Sequence, residues 1–431
     1  MVLVLVVGSV ATSATQKSYD GYQVLRLPTG SQLPHIQKKL NGLIFDQWNH
    51  DVERYLDIAL PPTEISKFKS LGLKSRVMHH NLGDSIKAEQ KTKRVWKRDI
   101  ADLSWFDSYH AYDAHIQYFK DLNIVFPNNS EVFSSGTSYE GRDISGLHFW
   151  GSEGPGKPSI LYHAGVHARE WITTPVVEYI AQKLITGYKD GDLLIQTLLD
   201  RYDFYFIPFV NPDGFVYTQT TERLWRKNRQ PGPKNSTCYG RDINRNWEFG
   251  WDANKGGAST NPCSYDYKGE APSDAPETQG LDSLVRKLKA NSGIELFVDW
   301  HSYGQYILSP YGYNETLYAP ELAKWTRAAS YISREIRDSS TAGATYTFGP
   351  CGATLYRTTG SATDHIYAIG GADFSYTIEL GDTGHYGFVL PPDQIRRVVE
   401  EQWAGQKLLF SLLDQAFFEM SDGLGSDVLS T

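Results

Sequence analysis

Three cysteines in 431 residues are too few to build a fold on disulfides; at most one intramolecular bridge can form, and one thiol is left over. No apolar run reaches the roughly 18 residues of a membrane-spanning helix, so no membrane partner is expected. Basic residues are not in excess. Lys and Arg number 42 against 50 Asp and Glu, a net charge of −8, which argues against nucleic acid as the main partner. Glycine and proline, at 38 and 20, fall short of a low-complexity or collagen-like chain. What remains is ordinary globular composition, 40% hydrophobic and 21% charged. At roughly 150 residues per domain, the length suggests two or three domains.

The residues that are present are unevenly spread. Met1 to Val10 is almost wholly apolar and runs into Ala11-Thr12-Ser13-Ala14, the pattern of a secretory signal over residues 1–14. No Lys or Arg precedes the run, and a buried N-terminal strand is the alternative. Asn-x-Ser/Thr sites at Asn128, Asn235 and Asn314 fit a secreted glycoprotein. Residues 1–98 carry 15 basic and 8 acidic side chains, a net of +7, and the remainder nets −15. The boundary holds the dibasic pairs Lys93-Arg94 and Lys97-Arg98, which read either as a cleavable linker or as a solvated charge run.

Residues 15–98 read as a small α+β domain. Tyr22 to Leu27 and Leu56, Ile58 and Leu60 alternate as strands, the second closed by Pro61-Pro62. Ile36 and Leu40 share a helical face. Thr63 is placed to cap a helix carrying Ile65 and Phe68, with Gly72 as its stop. From Ser104 onward the strands lengthen and alternate with helices. Strands are expected at 159–163, 203–210, 294–300 and 374–380, a helix at 175–184, and a turn at Asn211-Pro212-Asp213-Gly214. Strands spaced by helices imply an α/β sheet that is at least partly parallel.

The chemistry sits at strand ends, where ligands gather in open α/β sheets. His167 and Glu170 follow the strand at 159–163 and can reach one metal from a turn or first helical turn. His301 ends the apolar strand from Glu295. Two His and one Glu form a catalytic zinc set that leaves a position open for water. Glu379, at the end of the last strand, is a candidate base beside that metal. Two segments rich in arginine, 224–229 and 244–247, lie between the ligand strands. The planar fork of Arg matches a carboxylate, so they suggest an anionic substrate group.

Six motifs then occur in order: HAREW at 167–171, WRKNR at 225–229, DINRNW at 242–247, HSY at 301–303, PYGY at 310–313 and ELGDTG at 379–384. Together they resemble the zinc metallocarboxypeptidases of the carboxypeptidase A/B kind, in particular fungal-type secreted zymogens. The match runs from about Ser104 to about Phe418. The resemblance implies a mixed, mostly parallel eight-stranded sheet with helices on both faces, over residues 99–431, preceded by an activation prodomain at 15–98. It implies one zinc per chain, held by His167, Glu170 and His301, with Asp242 orienting His167. Glu379 would be the base and Arg229 the group that polarises the scissile carbonyl. Asn244 and Arg245 would grip the substrate's terminal carboxylate, Arg169 would guide it inward, and Tyr356 would close over it. Thr363 would sit at the floor of the side-chain pocket, where basic-selective relatives carry Asp. Apolar or aromatic C-terminal residues would then be preferred, with Asp299 the one acid able to upset this.

Cys238 and Cys263 fall where the family has its disulfide. Cys351 is left as a small pocket wall or a reactive thiol. Gly381 stands where relatives carry Arg. The implied protein is a secreted, extracellular monomer that acts on peptide or protein C-termini, with its own prodomain as an intramolecular inhibitor. A deacylase or amidohydrolase would have no use for the Asn244-Arg245 pair. A zinc-containing, non-catalytic secreted binding protein of the same fold remains as the alternative.

Overall fold

A computed structural model describes residues 16–91 and 102–413. The signal-like residues 1–14 and both dibasic pairs lie outside the described residues.

The basic N-terminal segment forms its own four-stranded sheet. Its central strands, Gln23–Pro28 and Tyr55–Leu60, pair antiparallel and are flanked by Asp46–Gln47 and Arg76–His79. Alternation decides what each face of Tyr55–Leu60 buries. Leu56, Ile58 and Leu60 pack with Ile36, Leu40 and Phe68 into a core of this unit. Asp57 and Ala59 point the other way and are equally buried, because that face lies on the rest of the chain. The helix at Pro62–Ser70 starts two residues earlier than expected. Pro61 occupies the cap position and Pro62 the first turn, where a missing N–H costs nothing, so Thr63 lies inside the helix and does not cap it.

The larger unit is built on eight strands. Across the sheet they run Thr347–Pro350, Tyr306–Ser309, Phe374–Leu380, Ile294–Ser302, Ser159–His163, Asp203–Ile207, Asp143–Phe149 and Ser130–Thr137. The four strands from Phe374–Leu380 to Asp203–Ile207 are mutually parallel, and Thr347–Pro350 pairs parallel to Tyr306–Ser309; the other three pairings are antiparallel. The sheet is therefore mixed, with its parallel part in the centre. Alternate residues feed two cores. Ile160, Tyr162, Phe204, Phe206 and Val298 pack under the helices Thr173–Lys189, Leu322–Ser339 and Ile395–Ser411. Leu161, Ile207 and Phe297 pack under Pro276–Asn291 and Ala362–Ala368. Among the described residues no helix is long and apolar enough to cross a membrane.

The segment Asn211-Pro212-Asp213-Gly214 opens the helix Pro212–Thr220; it is not a free turn. The Asn211 side chain accepts from Gly214 N–H at 2.9 Å, and its amide donates to the Val166 carbonyl at 3.2 Å. This pins the loop that follows Ser159–His163. Gly165 in that loop has φ +60°, and a Cβ there would meet the Pro208 carbonyl oxygen at 3.0 Å, so only glycine lets the loop turn so close to its neighbour.

The two units meet over a mixed surface. Trp48, Leu82 and Ile86 of the N-terminal unit pack with Leu224, Phe388 and Val389. Arg223 donates to both oxygens of Glu89 at 2.6 Å, with both side chains buried. Removing one partner of such a pair costs about 3–5 kcal/mol, because a buried charge is left alone. Tyr303 donates to Asp57 at 2.7 Å, Arg76 to the Gly384 carbonyl at 2.7 Å, and Arg26 both to Asp57 and to the Thr383 carbonyl. The charge division read from the sequence suggests basic groups on the N-terminal unit facing acids across the contact. Lys17–Glu222 at 2.7 Å obeys it, but the buried Glu89–Arg223 pair runs the opposite way.

Candidate metal centre and active site

Three neighbouring parallel strands end together and build the centre. His167 and Glu170 lie in the loop after Ser159–His163, His301 is next to last in Ile294–Ser302, and Glu379 sits in Phe374–Leu380 directly in register with His301. Nδ1 of His167 lies 2.9 Å from Glu170 Oε1 and 3.0 Å from Nδ1 of His301, which is 3.2 Å from Glu170 Oε2. These are the only residues, among those described, whose donors converge as a metal set.

The outer nitrogens explain why that set suits a cation. His167 Nε2 is 3.0 Å from Asp242 Oδ1, and His301 Nε2 is 2.9 Å from Asp299 Oδ2. A proton held on each outer nitrogen leaves two Nδ1 lone pairs facing each other beside a carboxylate, an arrangement that only a positive charge relieves. Burial raises Glu170, but His167 and His301 more than offset it and carry its pKa below the usual carboxylate range. The residues therefore fit a zinc ion with protein ligands in three positions and a fourth open. His301→Ala should lose stoichiometric zinc, measured by metal analysis of the purified chain, and a chelator should abolish peptide hydrolysis. Full activity in metal-free protein would refute the site.

Asp242 holds several parts at once. Besides His167, it accepts from the Asn244 backbone at 2.9 Å and from Arg226 Nη2 at 2.9 Å, and these partners carry its pKa well below normal despite burial. Asn244 in turn spans from His301 Nε2, 3.3 Å from its amide nitrogen, to the Ala362 N–H, which its oxygen accepts at 2.9 Å. Arg245 is buried. It donates to the Asn244 carbonyl at 2.7 Å, its Nε has no hydrogen-bond partner, and no carboxylate pairs with it among the described residues. An unpaired guanidinium lining the same cleft as the metal set asks for an anion.

A family model described as zinc carboxypeptidase matches residues 115–405. The metallocarboxypeptidase A of Trichophyton rubrum is 41% identical over 412 residues, covering 94% of this chain and 96% of the relative. The chain belongs to the zinc carboxypeptidases. Carboxypeptidase A4 of Mus musculus is 33% identical over 405 residues, with 91% and 93% covered. Among solved structures, thrombin activatable fibrinolysis inhibitor superposes with a TM-score of 0.83 at 27% identity, over 91% of this chain and 98% of that one. Carboxypeptidase A of Helicoverpa armigera gives 0.77 at 27% identity, over 92% and 98%. Membership makes the chain a metallocarboxypeptidase, a hydrolase whose metal is zinc.

Within this carboxypeptidase one expected residue lies elsewhere. Arg229 does not line the metal cleft. Its guanidinium stacks 3.6 Å from the Tyr217 ring, with Trp225 and Tyr239 around it. Arg226 is the arginine that reaches the centre, with Nη1 3.5 Å from Glu170 Oε1. The decisive contact is remote in sequence: the Ala168 N–H donates to the Arg226 carbonyl at 3.0 Å, which clips this residue beside His167. No spacing within Trp225–Arg229 distinguishes the two arginines.

Thr363 and Cys351 line the cleft beside Leu355, Leu308 and Thr377. Thr363 Oγ1 is 2.5 Å from Thr377 Oγ1, so the floor hydroxyls satisfy each other. Asp299 stays with His301 and does not line the cleft. Asp364, which the sequence reading passed over, does line it. Both its oxygens accept from Gly312 N–H at 2.9 Å, and burial pushes its carboxyl up to about 7. The signal for it was weak, an Asp directly after the floor residue. Burial pushes the Cys351 thiol up to about 12, so it is protonated at neutral pH and serves as a wall, not a nucleophile. Cys238 and Cys263 are bonded to each other. At Gly381 an added Cβ would meet only Gln305, at 3.7 Å; nothing in the structure explains the glycine.

Arg169 is buried with its guanidinium 4.0 Å over the Phe388 ring, and burial together with Arg226 pulls its pKa down to about 10. Tyr356 carries the ring of His50, from the N-terminal unit, stacked at 5.1 Å and 14°. Trp48, Asn49, His50 and Tyr55 thus form one wall of the cleft. His50 is a second residue that the sequence reading did not single out.

Proposed function

We propose that this carboxypeptidase is a secreted zymogen that releases single C-terminal residues, preferentially apolar or aromatic, from peptides and proteins. The observation that carries the exopeptidase reading is Arg245, a buried guanidinium without a carboxylate partner, one residue from Asn244, which touches the metal ligand His301. A substrate carboxylate bound by Asn244 and Arg245 brings only the last peptide bond to the metal centre. Arg169 lies on the approach, and Tyr356 closes the site once His50 is gone.

Zinc held by His167, Glu170 and His301 supplies a Lewis acid that polarises a carbonyl and acidifies water. The chain's own residues do the rest. Arg226 faces the scissile carbonyl oxygen and steadies negative charge as it develops there. Glu379 takes a proton from the attacking water and returns it to the leaving amine. Asp242 keeps His167 in one tautomer and Arg226 in place.

The pocket preference follows from its floor. Thr363 and Thr377 are neutral, and Asp364 is committed to backbone N–H groups, so an entering Lys or Arg would lose water without gaining a partner. Peptides that differ only in their last residue test this together with the exopeptidase reading. Phe or Leu should be released faster than Lys or Arg, and faster release of the basic residues would refute the preference.

Residues 15–98 act as the activation domain in this reading. They wall the cleft with His50 on Tyr356, and their departure opens it. Cutting the purified precursor at the basic linker, after Arg94 or Arg98, should raise peptide hydrolysis with time. The contact is mixed, but its buried ion pair is shielded and its apolar part is insensitive to salt, so the rise should depend only weakly on salt. Equal activity before and after the cut, with the cut chain diluted as well, would make the unit a folding aid or a separate binding module. Secretion is supported by the signal-like residues 1–14 and by sequons at Asn128 and Asn235, both exposed, and at Asn314, partly exposed.

A further inference from the structure

A groove of about 730 Å³ continues from the metal cleft, sharing Arg226 with it and reaching the Cys238–Cys263 bridge. Three further cations line it: Arg169, Lys227 and Arg229. Arg229 is the most constrained of them. The rings of Tyr217, Trp225 and Tyr239 stand 3.6, 4.5 and 4.9 Å from its guanidinium carbon and fix its plane. Its Nε is buried without a hydrogen-bond partner, and no carboxylate pairs with it among the described residues. Lys227 gives one proton to the Pro262 carbonyl at 2.7 Å and likewise has no carboxylate partner. Arg169 Nε is also buried and unpartnered. The groove's own acid, Glu222, is paired at 2.7 Å with Lys17 of the N-terminal unit, and the departure of that unit frees it. The N-terminal unit places Asp46 in the same groove, 3.8 Å from its own Lys17.

A cation that no carboxylate pairs is compensated by a bound anion, and a guanidinium held flat by rings offers the fork that a carboxylate fits. We propose that Arg229, with Lys227 beside it, forms a subsite that selects substrates with an Asp or Glu side chain several residues before the scissile bond. The proposal rests on the exopeptidase reading above, since the groove is then the path of the upstream peptide.

The test uses the zinc-loaded chain cut at its linker, and peptides with one common C-terminal end. A single Glu, or Gln as its control, is moved through about six positions upstream. The readout is the ratio of kcat/KM for the Glu peptide to that for the Gln peptide, taken within each variant so that general damage to the ring cage cancels. At low salt the wild-type ratio should reach about tenfold at one position, the size of one charge-assisted contact, and fall as salt rises. Arg229→Gln should bring the ratio close to one, and Arg229→Lys should keep part of it. A ratio of one at every position, or a preference unchanged in Arg229→Gln, overturns the subsite. Failure to release the last residue from either series overturns the exopeptidase reading, and the subsite with it.

Discussion

Glu379→Gln should lower kcat by at least about 10²-fold, the low end for losing a general base, while zinc content and KM change little. Glutamine keeps the shape and can accept a hydrogen bond but cannot take up a proton. Glu379 stands in register with His301 on the adjacent parallel strand, so its position is set by sheet pairing and not by a loop. Burial, with Glu170 and Asp299 adding to it, pushes its carboxyl up to about 8 against the pull of His301 and Arg226. A cation in the neighbouring triad draws it back toward neutrality, the range in which one group both accepts and returns a proton. Steady-state kinetics and metal analysis on the same preparation decide the matter. Near wild-type turnover with zinc retained would make Glu379 structural.

Arg226→Gln should cost about 10²- to 10³-fold in kcat, the range for removing one donor to a developing oxyanion. Part of the loss will come through Asp242, which Arg226 holds through Nη2 at 2.9 Å and Nε at 3.2 Å. Arg226→Lys separates the two contributions. It keeps a positive charge near the carbonyl but cannot reach Asp242 with two donors, so it should recover only part of the rate. Zinc content that stays stoichiometric in both variants would place the loss in chemistry and not in ligand geometry. An Arg226→Gln enzyme with ordinary kcat would return the carbonyl-polarising role to some other group.

The metal ligands and the central strands were legible because each is a local event. An apolar run ends in His or Glu, and a parallel sheet carries such ends to one edge. The strand Phe374–Leu380 was read to its boundaries, and Thr63 was misread only because Pro61 and Pro62 began the helix two residues sooner. Arg226 and Arg229 could not be told apart, since what separates them is a backbone bond to Ala168 and an aromatic cage that includes Tyr217 and Tyr239, both distant in sequence. His50 was hidden for the same reason. Nothing within Trp48-Asn49-His50-Asp51 announces that Tyr356 lies across from it. The net charges of the two units gave only part of the picture of their contact, where Lys17 meets Glu222 but the buried pair has Glu89 on the basic side.

The Glu89–Arg223 pair has a consequence for how latency would end. In the proposed zymogen the covering unit is tethered while the chain is whole, and its effective concentration at the cleft is on the order of millimolar for a short linker. Scission alone removes the tether but breaks no contact, and departure must leave Arg223 without the carboxylate that now neutralises it. The freed unit should therefore behave as a tight inhibitor in trans. Activation after the cut would be slow and would respond to dilution, with concentrated enzyme staying largely silent and diluted enzyme coming to life.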